Sequence, residues 1–154
     1  MPTPTLQNPL QNPLENPLAL DNQVCFALAI ASRNVIALYR PILEPLGLTH
    51  PQYLVLLALW EESPRTLKGL GQTLCLEPAT LSPLLKRLEV TGYVRRQRRP
   101  ADERTLDITL TERGVALRTV AETIPPRVVE ALALPLHDLV TLRDALHRVI
   151  AATS

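Results

Sequence analysis

The sequence predicts a mainly α-helical domain that carries one small β-hairpin. Three observations lead there. Leu, Ala and Val dominate the chain while aromatic residues make up only 3%, a composition that favours helices packed on helices. Apolar residues recur at helical spacing in most segments from about residue 22 to residue 152. One interval breaks that rhythm: Val94, then Leu106, Ile108 and Leu110, sit in segments that alternate with polar residues, the period of a strand. At 154 residues a single domain with its own core is the natural unit.

Residues 1–20 form a separate extension, in which Gln-Asn-Pro-Leu (7–10 and 11–14) and Glu-Asn-Pro-Leu (15–18) repeat with period four. A proline every fourth residue blocks helix and sheet ladders alike, so a flexible or polyproline-like tail is expected. The domain proper is then 21–154. Asp21 or Asn22 is expected to cap a first helix that decays at Pro41 and Pro45. Its apolar residues, among them Val24, Phe26, Leu28, Ile30, Val35, Ile36 and Tyr39, cover more than one face, which in so small a chain points to a second subunit.

Thr49 caps the next helix, with Pro51 near its start. A short helix begins near Thr66 and carries Leu67, Leu70 and Leu74. The fourth spans Glu77 to about Val90, with Leu81, Leu84, Leu85 and Leu88 on one face and Gly92 as its stop. Two strands follow, joined by Pro-Ala-Asp-Glu. Thr111 starts another helix, which Pro125-Pro126 interrupts and which resumes through Val129 and Leu132. After Pro135 a last helix shows Leu139, Leu142, Leu146 and Val149 at the spacing of a seam for another helix. Two helices followed by a hairpin give a winged helix-turn-helix, in which the fourth helix enters a major groove and the hairpin reaches the neighbouring minor groove. The DNA-binding lobe is placed at about 49–111, with dimerisation helices at about 22–45 and 112–152.

Charge agrees with that reading. Between Lys86 and Arg104 stand seven Lys/Arg and three Asp/Glu, which leaves −3 on the rest of a chain whose total is +1. A nearly neutral protein with one basic hairpin beside a helix is built to meet a polyanion at one edge. Other classes find no support. No apolar run reaches membrane-spanning length, and the start of the chain lacks the basic and apolar regions of a secretory signal. The two cysteines, 50 positions apart, read as reduced thiols of a cytoplasmic protein, and no Cys/His cluster has metal-ligand spacing. No cofactor is implied. An enzyme, such as a thiol peroxidase built on Cys25, lacks a phosphate loop, paired carboxylates or a nucleophile elbow.

Several motifs fall in order at the right separations: Leu20-Asp-Asn-Gln-Val-Cys-Phe-Ala-Leu28, Leu38-Tyr-Arg-Pro41, Leu48-Thr-His-Pro-Gln-Tyr-Leu-Val-Leu-Leu57, Leu81-Ser-Pro-Leu-Leu-Lys-Arg-Leu-Glu89, Asp102-Glu-Arg104 and Leu110-Thr-Glu112. Together, over roughly residues 20–115, they resemble the organic-hydroperoxide-responsive repressors of the MarR family. The resemblance implies a MarR-type homodimer whose terminal helices form the dimerisation region. It implies Cys25 as the peroxide sensor, oxidised to sulfenic acid, captured by another thiol and so releasing the operator. A low-molecular-weight thiol is the default captor. It also places Tyr39 where a phenol hydrogen-bonds the sensor sulfur from across the dimer. The chemistry suits Cys25, because a thiol attacks a peroxide as thiolate and a helix N-terminus offers partial positive charge and free N–H groups.

The chain departs from the family pattern at several positions. His50 replaces a second tyrosine and either supports the sensor sulfur or is a solvated residue beside the Thr49 cap. Ala29 replaces a third. Cys75 is either a second, resolving thiol or a small buried apolar residue. The helix start Glu77-Pro78-Ala79 replaces small polar residues.

Carried over by position, Thr80 and Ser82 face bases or phosphates, Pro78 and Ala79 meet thymine methyls, and Arg87 reaches phosphate. Arg104 matches the wing arginine that enters the minor groove, and Asp102 the acid that orients it. Arg96, with Arg95, Arg98 and Arg99, supplies backbone charge, although alternation sends Arg96 and Arg98 to one strand face and Arg95 and Arg99 to the other. Lys86 has Glu89 within pairing distance on its own helix. The expected function is a DNA-binding repressor that senses organic hydroperoxides through Cys25. The alternative keeps DNA binding and takes a small lipophilic or phenolic ligand as its signal.

Overall fold

The computed structural model describes residues 16–154. Most of the Asn-Pro-Leu repeat, and the expectation of a flexible tail, therefore lie outside the described residues. The chain divides into two units, one ending at Ala37 and one running from Leu38 to Ser154.

In the first unit a 3₁₀ turn at Leu20–Asn22 precedes helix α1 (Val24–Leu43), which continues past the division. Neither Asp21 nor Asn22 caps α1. They belong to the turn, and the carbonyl of Gln23 accepts the first helical N–H, from Ala27 at 3.2 Å. The polar side chains just ahead of α1 bond backward instead: Asn22 donates to the Asn16 carbonyl and Gln23 to the Pro17 carbonyl. No residue of α1 before Ile42 is buried, and Val24 is 69% exposed. By length and composition alone Val24–Leu46 would suffice to cross a membrane, which corrects the expectation that no segment reaches that length. Arg33, Asn34 and Arg40 punctuate the stretch, and a helix that packs against protein on several faces meets the same criterion.

The second unit holds helices α2 (His50–Glu61), α3 (Leu67–Leu74), α4 (Pro78–Val90), α5 (Glu112–Ala121), α6 (Ile124–Leu132) and α7 (Leu136–Thr153), and strands β1 (Arg65–Thr66), β2 (Val94–Arg99) and β3 (Asp102–Leu110). The caps sit where the hydroxyls predict. Gln52 Oε1 accepts the Thr49 N–H at 2.9 Å, Thr66 Oγ1 accepts from Gly69 at 2.9 Å, and Thr111 Oγ1 accepts from Gly114 at 3.1 Å. Pro125 and Pro126 do not interrupt a helix from within. They open α6 after a break at Glu122–Thr123, where a missing N–H costs no helical bond.

The wing is a three-stranded antiparallel sheet of order β1-β3-β2, not a lone hairpin. Arg65 and Thr66 pair with Ile108 and Asp107 on one edge of β3, while β2 pairs on the other from Val94↔Leu110 out to a bulge at Arg98/Arg99. The turn is tighter than expected, because β3 starts at Asp102 and leaves Pro100–Ala101 at the tip.

The core gathers Leu56 and Leu59 of α2, Leu70 of α3, Leu81, Leu85 and Leu88 of α4, and Ile108 of β3, each at 1% exposure or less. Burying a leucine completely stabilises by about 1.5–3 kcal/mol, so the helix-turn-helix and the base of the wing form one packed body. Polar anchors complete it. Trp60 Nε1 donates to the Gly114 carbonyl at 2.9 Å, and Tyr93 Oη to the Leu46 carbonyl at 2.8 Å. Gly114 approaches β2 so closely that a Cβ there would collide with the Tyr93 carbonyl. Gly92, at φ +80°, makes the left-handed turn from α4 into β2.

Candidate nucleic-acid interface

Helix α4 buries Leu81, Leu85 and Leu88, and that choice of face decides what it presents outward. Pro78, Ala79, Thr80 and Arg87 are exposed and Ser82 is half-buried. Glu77 is the residue before the helix, and Pro78 at its first position needs no hydrogen-bond acceptor. The structure thus places the five expected DNA-contact residues on one helix, four of them exposed.

The arginines of the wing fall into two kinds. Arg96 turns toward α4, where its Nη2 lies 2.8 Å and its Nε 2.9 Å from Glu89 Oε2, while its backbone N–H donates to Glu89 Oε1 at 3.1 Å. These bonds hold the Glu89 carboxyl below the usual carboxylate range. Glu89 therefore pairs with Arg96 and not with Lys86, and Arg96 is a tie within the fold where sequence reading counted it as DNA charge. On the opposite face Arg99 forks onto Asp107 at 2.8 and 3.0 Å. Arg98 donates to the Glu103 carbonyl at 2.6 Å, closing the hairpin. Arg95 and Arg104 are exposed and form no ion pair among the described residues.

Asp102 does act on Arg104, but through the backbone. Its Oδ1 accepts the Arg104 N–H at 3.1 Å and its Oδ2 the Thr105 hydroxyl at 2.7 Å. Those two donors, Thr105 foremost, hold its carboxyl low. The carboxylate fixes the chain direction at Arg104 and leaves the guanidinium exposed.

Between the α3–α4 turn and the wing lies a cleft of about 850 Å³, whose walls include Leu67, Lys68, Cys75, Pro78, Arg104 and Leu106. Cys75 caps α3 in the left-handed conformation, φ +54°, and is exposed. The reading of Cys75 as a buried apolar residue is thereby corrected, since at this helix end the side chain projects away from the core. Sequence reasoning had no signal for it, because left-handed caps are ordinarily Gly or Asn.

The sensor candidates lie in separate units. Cys25 is the second residue of α1 and is exposed. Tyr39 and His50 belong to the second unit, where they touch. Their rings are edge-on with centroids 4.8 Å apart, and Tyr53 and then Trp60 extend the aromatic row at 5.8 and 6.5 Å. His50 is accordingly not a solvated residue beside its cap. Burial lowers its pKa and raises that of Tyr39, so at neutral pH the pair is a neutral imidazole beside a protonated phenol.

This geometry has close counterparts among known proteins. A family model described as "Transcriptional regulator SarA/Rot" matches residues 37–119. The chain is 41% identical over 133 residues to the organic hydroperoxide resistance transcriptional regulator of Bacillus subtilis (strain 168), covering 86% of this chain and 90% of that one. Among solved structures it is similar to reduced AbfR bound to DNA, a protein of Staphylococcus epidermidis. The TM-score is 0.74 at 36% identity, over 91% of this chain and 98% of that one. The disulfide form of AbfR superposes with TM-score 0.63 at 40% identity, over 89% and 96%.

Proposed function

The chain belongs to the MarR/SarA-type family of winged-helix, DNA-binding transcriptional regulators, and on that premise we propose that it is a homodimeric repressor that senses organic hydroperoxides through Cys25. The observation that carries the reading is the place of Cys25, an exposed thiol in the first turn of a helix. Its likeness to a regulator named for organic hydroperoxide resistance, and to one known in reduced and disulfide forms, supports the choice of signal.

In this reading the Cys25 thiolate attacks the terminal oxygen of R–O–O–H. The O–O bond breaks, the alkoxide leaves and takes up a proton as the alcohol, and sulfur is oxidised to the sulfenic acid. A low-molecular-weight thiol then condenses with it, giving a disulfide and water. Tyr39, a protonated phenol whose pKa burial raises further, has an O–H to offer the partner subunit's sulfur, and His50 holds the Tyr39 ring from the side. On DNA, Thr80, Ser82, Pro78 and Ala79 address the major groove, Arg87 a phosphate, and Arg104 the minor groove with Asp102 directing its backbone. Oxidation enlarges and polarises a sulfur at the dimer interface, which biases the packing of the two subunits and with it the spacing of the two reading heads.

A gel shift on duplex DNA from upstream of its own gene, with and without cumene hydroperoxide, tests the proposal. The wild type is expected to be released and to rebind after dithiothreitol, while Cys25→Ser stays bound. If both proteins stay bound, the redox reading fails. The second reading, a small lipophilic or phenolic signal, draws on the cleft beside Cys75, where Leu67, Leu76 and Leu106 stand near Lys68 and Arg104. It requires release of Cys25→Ser by such a compound.

A further inference from the structure

Within the wing the β2–β3 hairpin is held along both edges, by different means. On the β3 side the ties are backbone rungs from Arg65–Thr66 to Ile108 and Asp107. On the β2 side the strand is an outer edge, and an outer edge has outward N–H groups with no strand to receive them. Glu89, next to the last residue of α4, supplies the acceptor there. One carboxylate oxygen takes the Arg96 N–H at 3.1 Å and the other takes the Arg96 guanidinium at 2.9 and 2.8 Å. Both oxygens are used, and both the backbone and the side chain of one strand residue are held.

Beyond that point no side-chain hydrogen bond reaches the helical body among the described residues. From Gln97 to Thr105 the side-chain hydrogen bonds among the described residues stay within the hairpin: Arg98 donates to the Glu103 carbonyl, Arg99 to Asp107, and the Arg104 N–H and Thr105 hydroxyl to Asp102. Arg104 stands on this outer part, while Thr80 and Ser82 stand on the helix that bears Glu89. The separation between the two reading elements is set by the β1–β3 rungs on one side and by how firmly β2 is fixed to α4 on the other.

We propose that Glu89 is a positioning residue for DNA recognition: its carboxylate clamps the edge of the wing to the recognition helix and so sets the reach of Arg104 relative to Thr80 and Ser82. The inference rests on the reading of Arg104 as a DNA contact, and its test separates the two. Binding to the same upstream duplex is measured by fluorescence anisotropy over a salt series for wild type, Glu89→Ala, Arg104→Ala and the double variant. Loss of Arg104 from wild type, once in each protomer, is expected to weaken binding roughly 10-fold and to reduce the salt slope by about two. With the clamp gone Arg104 no longer docks, so Glu89→Ala shows a similar loss and slope. Adding Arg104→Ala to it then costs less than about 2-fold more.

Equal losses from Arg104→Ala in both backgrounds overturn the clamp and leave the wing contact standing. No loss from Arg104→Ala in wild type overturns the wing contact, and the clamp with it. Should Glu89→Ala lose its helical circular dichroism, Glu89→Gln carries the same cycle. It keeps the size and one acceptor for the Arg96 N–H and removes the charge from the guanidinium. Its expected loss lies between those of wild type and Glu89→Ala, and a cycle that is additive with Glu89→Gln overturns the proposal.

Discussion

The reading lobe and the last helix of this chain are built from the same residue types and end in opposite states. Helix α4 has three leucines with no exposed surface. Helix α7, five residues longer, buries none of its residues, and Leu136, Leu142, Val149 and Ile150 are each 44% exposed or more. The first unit resembles α7 in this, with Val24 and Ile36 exposed. Leucine at helical spacing thus marks a face without saying which molecule covers it. The lobe finds its cover within the chain, and the exposed apolar residues of α7 are left for a second copy to cover in the proposed dimer.

That contrast can be broken experimentally, most forcefully on α7. Replacing Leu142 with Glu places a charge where the proposed dimer buries apolar surface, at a cost of several kcal/mol. Sedimentation velocity should then show a monomer where the wild type is expected to run as a dimer. A Leu142→Glu protein that stays dimeric would mean α7 faces solvent in the assembly. The complementary change, Leu85→Ala in α4, removes side-chain volume from a site with no exposure and is expected to cost about 2–5 kcal/mol. Urea unfolding monitored at Trp60 reads it, and a loss under 1 kcal/mol would show that the lobe is less tightly packed than its burial implies.

The smallest effect is pH-dependent. Burial lowers the folded pKa of His50 below its ordinary 6.5, in contact with Tyr39, whose ring in turn meets Tyr53. The unfolded chain therefore binds the proton first, so stability is intact above about 6.5 and declines as pH falls below it. Glu89, Asp102 and Asp107, with lowered pKa values, contribute stability that is present above their ordinary values of 4.5 and 3.8 and is lost only in more acid solution. The melting temperature between pH 7 and 5.5 should fall in wild type and flatten in His50→Gln. An equal slope in both proteins would assign the effect elsewhere.

How much of this was legible in the sequence follows from the range of the forces involved. Helices α2, α3 and α4 were readable because hydroxyl caps and leucine spacing act within one or two turns. Strand β1 was not, because Arg65 and Thr66 have no strand pattern and become a strand only through pairing with residues some 40 positions away. The same limit misplaced the partner of Glu89. Lys86 is its neighbour on the helix, yet the chain turns at Gly92 and delivers Arg96 with both a guanidinium and an edge N–H. Cys25 and Arg104 were singled out by motif, whereas the exposure of Cys75 depends on a backbone angle that no local residue announces.

The close approach of Gly114 to Tyr93 also has a genetic meaning. Every single-base change at the first or second position of a glycine codon that still encodes an amino acid adds a Cβ. At this position each such change drives an atom into the Tyr93 carbonyl at the foot of the wing. A screen for mutants that have lost repression should collect missense alleles at codon 114 of nearly every available kind, a dense mutational target in a residue outside the proposed DNA contacts and the proposed sensor.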